Sequence, residues 1–521
     1  MEKQPNPHSS ENTKMQDKPP VIEVTHYNSD NTSEDGCSNG VPVTPPLRLK
    51  VISTLLVCLM GFGTYYNHGV LGAVKTPLKK AMHIDNTQFS LILCTQDLAI
   101  ALLMPFSGLV TDYIGGAATL IIASTVGVIG SIIVSSAVQT RTYGLMLLGA
   151  GTLALGNSAN STARYRLFSA WFPPNHGFAL TLGLELAAAK LGMLVSKALA
   201  NVIAEGAGDL AWAFWVATLA DFCVLLLGVA SLFFVRACRR KYSVLADPST
   251  GERLVERTGR FEPRRIAELP WTFWCIVVYH VFQTTTLLTF AQNLTEITEK
   301  RFDVSSKTAG WVSGVVIGGN FPLIPLVGGF IDKAGHRLSV MASLGLSMAM
   351  AMAIMRWDSS RVATGVSLGF VSLAICPTLL VAYDGVRSSL WHQELYGTAN
   401  AIKVSTGYAV ALIVRVGIGI LQDRDHGGYQ NVIIVYLVLA IGSLLTGIAM
   451  IIGSMFTLDL GRFQWSKKKR AARGEEIAAR TKLEDDKLSV GRSKFNFMAC
   501  STAFTFLLGA IAAYIYACIR A

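Results

Sequence analysis

The chain has 521 residues, of which 51% are hydrophobic and only 15% charged, whereas a soluble domain carries about 25% charged residues. Its formal net charge of +11 would suit a nucleic-acid partner, but nine Lys/Arg fall in residues 236–269 and eleven in 461–494, both flanking apolar runs. The positive-inside rule places such segments in the cytosol, so the charge reports topology and no nucleic-acid partner is expected.

Residues 1–46 are rich in Asn, Ser, Pro and acidic residues, cannot offset the entropy of ordering, and read as a disordered cytosolic tail. No cleavable leader pattern opens the chain, so the first span is expected to act as an uncleaved insertion signal. A bilayer-spanning helix needs about 20 mostly apolar residues, and such windows centre near residues 60, 98, 126, 153, 190 and 222. They define a six-helix half over 47–235, followed by the basic loop 236–269. Six more windows centre near 281, 318, 346, 372, 408 and 442, giving a second half over 270–455 and then a charged cytosolic segment over 456–494. Residues 495–517 form one further uncharged apolar run, between Lys494 and Arg520. It is long enough to span, which would leave the C-terminus on the non-cytosolic side, and an interfacial helix is the alternative. The expected fold is therefore an all-α membrane protein of two six-helix halves plus an extra C-terminal transmembrane helix.

Between spans 8 and 9 stands Gly328-Gly329-Phe330-Ile331-Asp332-Lys333-Ala334-Gly335-His336-Arg337. At the matching turn between spans 2 and 3 stands Gly108-Leu109-Val110-Thr111-Asp112-Tyr113-Ile114-Gly115. The glycines allow close helix approach and a tight turn, and the Asp can sit at a neighbouring helix N-terminus or against a cation. The repeat of this frame in both halves resembles the cytosolic-loop signature of the major facilitator superfamily. That resemblance implies gating roles for Asp112, Asp332, Lys333 and Arg337. Leu269-Pro270-Trp271, Thr298-Glu299-Lys300-Arg301-Phe302 and Gly397-Thr398-Ala399 narrow it. So do Gly61-Phe62-Gly63-Thr64-Tyr65-Tyr66, Ser169-Ala170-Trp171-Phe172, Gly183-Leu184-Glu185-Leu186 and Ala189-Lys190-Leu191-Gly192. Together these resemble the MFSD-one family of lysosomal dipeptide transporters, in a diverged, fungal-type branch, over about residues 47–455. The family has an Arg at Lys190, where an ammonium still meets a substrate carboxylate but without a bidentate fork. It has a Glu at Ser158, and the loss of that Glu removes the partner for a peptide's amino group.

Charges inside spans are costly at mid-bilayer unless they face a cavity or a partner. Asp97, Glu185, Lys190, Lys197, Lys403 and Arg415 are such charges. Lys190 and Lys197 are seven residues apart and share a helix face, whereas Glu185 and Lys190, five apart, project differently and are not expected to pair. Lys190 reads either as a solute-facing cation or as half of a structural ion pair. Asp97 is a proton-coupling candidate or the partner of a cation on span 5 or 11. Softer polar groups either complete a central site or satisfy interhelical hydrogen bonds within the bundle: Tyr66 at the end of span 1, Ser158 in the polar run Asn157–Thr162 of span 4, and His280 with Gln283 in span 7. The expected substrate site thus comprises Lys190, Ser158, Glu185, Tyr66 and His280.

The nine cysteines show no zinc-ligand context, and no nucleophile elbow, phosphate loop or H-E-x-x-H occurs. Neither enzymatic activity nor a cofactor or metal is expected. The resemblance implies alternating-access transport of dipeptides or related zwitterions across the lysosomal or vacuolar membrane. Tyr242-Ser243-Val244-Leu245 has a sorting-signal form, and the plasma membrane is the alternative location. An organic-anion or monocarboxylate carrier is the second reading, and a non-transporting receptor or scaffold on a transporter fold the third. Partners are a small-molecule substrate, membrane lipid and, because animal members of the family rely on one, a single-span accessory protein.

Overall fold

Apolar runs without an aqueous partner for their backbone satisfy every N–H and C=O within a helix. The computed structural model follows this rule over the residues it describes: 47–171, 178–241, 269–391, 396–424, 428–477, 479–480, 482–483 and 494–520. The first half comprises α1 (Leu47–Ala73), the short α2 (Lys75–Met82), α3 (Asn86–Ile114), α4 (Gly116–Thr140), α5 (Tyr143–Trp171), α6 (Phe178–Ala207) and α7 (Ala211–Lys241). The second comprises α8 (Trp271–Phe302), α9 (Ser306–Gly318), α10 (Leu323–Ala334), α11 (Arg337–Trp357), α12 (Arg361–Ser389), α13 (Tyr396–Arg424) and α14 (Gln430–Phe456). Short helices α15 (Leu458–Gly461) and α16 (Lys467–Ala472) lead on to the C-terminal helix α17 (Lys494–Arg520).

Twelve spans among the described residues are long and apolar enough to cross a membrane, α17 among them and α9 with α10 counted as one. The remaining long helix is α5, whose polar stretch around Asn157–Arg164 dilutes its hydropathy. The polar residues Asn157, Asn160, Thr162 and Arg164 are buried, and α3 and α4 pack along the helix. Its approach to α4 needs small residues: a Cβ on Gly130 would lie 2.4 Å from Leu153 N, and one on Gly156 2.3 Å from Gly127 N.

Local signals fix the helix ends. Asp85 accepts from Gln88 N at 2.7 Å while Gln88 Oε1 accepts from Asp85 N at 3.2 Å, a reciprocal cap that starts α3. The eighth span is interrupted at Gly319–Pro322, since Pro322 has no N–H to continue the ladder. The break is held in place by Asn320 Nδ2, which donates to Ser372 Oγ of α12 at 2.9 Å.

The halves meet along two seams, α3 against α13 and α6 against α9 and α10. The C-terminal helix lies across the first seam. Ala510 is fully buried there, and Tyr514 hydrogen-bonds Thr95 of α3 at 2.9 Å. At its other end Asn496 accepts from Trp274 Nε1 at 3.2 Å and donates to Leu269 O at 2.8 Å.

Candidate functional site

The charges inside the spans sort themselves by partner. Arg164 of α5 and Glu185 of α6 form an ion pair of 3.2 Å with both side chains fully buried. Gly61 of α1 is pressed against it, since a Cβ there would lie 2.8 Å from Glu185 Oε1. Across the α3–α13 seam Asp97 meets Arg415 at 2.5 Å, so of the two roles open to Asp97 the structure displays the pairing with the cation on span 11. Lys190, Lys197 and Lys403 have no carboxylate beside them among the described residues. Lys190 lies at mid-length in α6, beside the break between α9 and α10. A Cβ on Gly318 would come within 2.6 Å of the Lys190 carbonyl, so the helices are in direct contact at this level. Discontinuous spans of this kind expose backbone groups near the membrane midplane, where transporters place their ligands.

The softer groups are distributed around this level. Ser158 Oγ donates to Leu155 O of its own helix at 3.1 Å. His280 Nδ1 lies 2.9 Å from Thr284 Oγ1, and its other ring nitrogen faces Gly407 of α13. Gln283 bridges α12 and α14, donating to Thr378 Oγ1 at 3.4 Å and accepting from Ser443 Oγ at 2.7 Å. Tyr66 is buried in the apolar cluster of the first half with Val70, Leu78 and Phe214. Its neighbour Tyr65 is the residue of α1 within electrostatic reach of Arg164, Glu185 and Tyr383.

Two aromatic residues absent from the sequence-based site join the halves. The rings of Tyr165 in α5 and Tyr383 in α12 have centroids 4.4 Å apart, and Lys403 Nζ lies 3.7 Å from the Tyr383 centroid. A second omission is Asp221 of α7, bound by Asn67. Asp221 was legible as a lone charge in an apolar run. The Tyr165–Tyr383 stack was not, because nothing in a sequence sets two rings from different halves side by side.

At one end of the bundle Asp332 Oδ2 accepts from Leu180 N at 3.0 Å, placing a carboxylate at the N-terminus of α6, in the other half. Arg337 pairs with Asp384 of α12 at 2.5 Å, and Lys333 is exposed. The turn itself is braced by the segment after α15. Arg337 N donates to Phe463 O at 3.2 Å, and Gly335, at φ +79°, leaves no room for a side chain against Trp465 O. The side chain of Asp112 lies outside the described residues, as do Phe172 and Tyr242–Leu245. On the opposite face Lys75 of α2 bonds Glu296 of α8 at 2.7 Å and Lys307 bonds Glu205 at 2.8 Å. Bonds therefore join the halves at both ends.

This plan of two six-helix halves, with a glycine-Asp turn latched across them, is matched by the Major Facilitator Superfamily profile over residues 57–414. The chain belongs to that superfamily. It is a multi-pass membrane transporter of a small molecule, not an enzyme. This facilitator is 22% identical over 410 residues to the lysosomal dipeptide transporter MFSD1 of Pongo abelii, covering 75% of this chain and 85% of that protein. To the Homo sapiens MFSD1 it is 23% identical over 401 residues, covering 73% and 84%. The solved structure of the proton:xylose symporter XylE bound to 6-bromo-6-deoxy-D-glucose superimposes with a TM-score of 0.59 at 14% identity, covering 77% of this facilitator and 94% of that chain. At that identity the likeness concerns the fold alone.

Proposed function

We propose that this facilitator carries dipeptides or closely related amino-acid-derived zwitterions across the lysosomal or vacuolar membrane by alternating access. The observation that carries the reading is Lys190. It is buried at mid-length in α6, beside the α9–α10 break, without an ion-pair partner among the described residues. It occupies the position where the resembled family has a basic residue, and the relatives at 22–23% identity are lysosomal dipeptide transporters. In this reading the Lys190 ammonium holds the substrate carboxylate. Asp332 and the Arg337–Asp384 pair latch the cytosolic end, with Asp112 and Lys333 as further members of that gate. His280 and Ser158 face the solute, and the Asp97–Arg415 pair opens and closes with the α3–α13 seam.

The organic-anion reading is favoured by one feature. Ser158 supplies no charge, and Glu185 is already paired with Arg164, so neither offers a free carboxylate to an ammonium group. Uptake of dipeptides, single amino acids and monocarboxylates into proteoliposomes separates the readings. Dipeptide uptake that saturates and is lost in Lys190→Ala supports the proposal. Monocarboxylate uptake without dipeptide uptake would replace it.

A further inference from the structure

Each charged side chain inside the bilayer is costly unless it is partnered, so the charges left after internal pairing show what a ligand must supply. Glu185 is taken by Arg164 and Asp97 by Arg415. Asp221 is bound by Asn67, which also donates to Ser131 of α4 at 2.9 Å, within the first half. The ammonium groups of Lys197 and Lys403 are fully buried without a hydrogen-bond partner, and Lys190 has no ion pair among the described residues. All three stand where the halves meet. Lys197 Nζ lies close to Gly72 of α1, and its Cβ would be 3.4 Å from one built on Gly314 of α9. Lys190 and Lys197 follow the same face of α6, about 10 Å apart along the axis. Lys403 lies against Tyr383, which stacks on Tyr165 of the other half.

Lys403 bears most directly on the sign of the charge the cargo brings. An aromatic face attracts a cation, but it offers no acceptor to any of the three N–H donors of an ammonium. His280, within electrostatic reach of Lys403, brings no negative charge. Three residues before Lys403, and so on a neighbouring part of the same helix face, Asn400 Oδ1 is buried without a donor. We infer that the preferred cargo is net anionic, an acidic dipeptide or comparable dicarboxylate, with Lys190 taking one carboxylate and Lys403 the second. This rests on the reading of the chain as a dipeptide carrier. A neutral dipeptide brings one carboxylate and an ammonium, leaving Lys403 as it was. An acidic dipeptide supplies an acceptor to each half, and its ammonium has the neutral Asn400 oxygen to bond.

The test uses the full chain in proteoliposomes with Ala-Ala, Asp-Ala, Lys-Ala and glutarate as probes. Asp-Ala is expected to exceed Ala-Ala in uptake efficiency by at least about tenfold, the low end for one hydrogen bond to a charged group, with Lys-Ala lowest. Lys403→Met, which keeps the length and removes the charge, collapses the Asp-Ala to Ala-Ala ratio toward equality, and Lys403→Arg restores it. Equal uptake of all three dipeptides would overturn the inference and leave the dipeptide reading standing. Uptake of glutarate with no dipeptide carried would remove the dipeptide reading and uphold the anionic preference. Where Lys403→Met does not fold, thermal stabilisation of the detergent-solubilised wild type decides: greater protection by Asp-Ala than by Ala-Ala supports the inference, and equal protection overturns it.

Discussion

Replacing Glu185 by Met would leave the Arg164 guanidinium, fully buried and 3.2 Å from the lost charge, without its counter-ion. Breaking a buried ion pair from one side costs about 3–5 kcal/mol, whereas replacing both members by apolar residues of similar volume is often neutral. Gly61 sits directly on the pair and brings no side chain of its own to shield the orphaned cation. The expected result is that Glu185→Met and Arg164→Met each lower the thermal stability of the detergent-solubilised protein strongly, while Arg164→Met/Glu185→Met recovers most of the loss. With each single costing about 3–5 kcal/mol and the double near neutral, the coupling energy in this cycle should be at least about 3 kcal/mol, well outside the scatter of independent sites. Fluorescence-detected size-exclusion after heating ranks the four proteins. A double variant as unstable as the sum of the singles would refute the assignment of Glu185 to Arg164.

Other consequences follow from the same geometry. Asp332→Ala removes an acceptor at the N-terminus of α6; losing a helix cap costs about 1 kcal/mol, so the cytosol-closed population should fall about fivefold relative to the open one. Spin-label distances between the cytosolic ends of α6 and α10 would show it, and an unchanged distance distribution would dismiss the latch. Truncation after Lys494 removes the Tyr514–Thr95 and Asn496–Trp274 bonds and should lower stability or targeting, with substrate affinity unchanged in the molecules that survive; an altered KM would place α17 on the solute path. In the segment after α14, burial pushes the Asp459 carboxyl up, but the hydrogen bonds from Arg480 and Trp271 outweigh it and hold the group below its ordinary value of 3.8. A depressed carboxylate stabilises fully above its unfolded value and loses that contribution as pH falls through the folded one. Hydrogen exchange of residues 458–465 should therefore accelerate only below about pH 4, the ordinary carboxylate range, and in Asp459→Asn should be fast at every pH.

The spans were legible because an uninterrupted apolar run of the right length has one low-energy fate in a bilayer. The extra C-terminal helix was read by the same rule, but its seat across the α3–α13 seam was not, since Ala510, Tyr514 and Asn496 carry no mark of the partner they meet. The Gly-Asp turn carried its own explanation: Asp332 had to find a helix N-terminus or a cation, and it finds the start of α6. The charged residues inside spans were equally visible, because each is an exception to its surroundings. Their pairing was hidden. Glu185 and Arg164 stand on consecutive helices whose rotation about their axes is set by packing, and Asp97 and Arg415 stand in different halves. The interruption of the eighth span at Gly319–Pro322 was written in its Gly and Pro residues; that it lies beside Lys190 required the fold.

The proposed contact of Lys190 with the substrate carboxylate is tested most directly by proteoliposome uptake of a dipeptide by wild type, Lys190→Ala and Lys190→Arg. Loss of one hydrogen bond to a charged group reduces binding by about ten- to a hundredfold. Lys190→Ala should therefore keep only about 1–10% of the wild-type uptake efficiency while remaining folded and membrane-inserted, and Lys190→Arg should keep more. Wild-type uptake by the alanine variant would contradict the account.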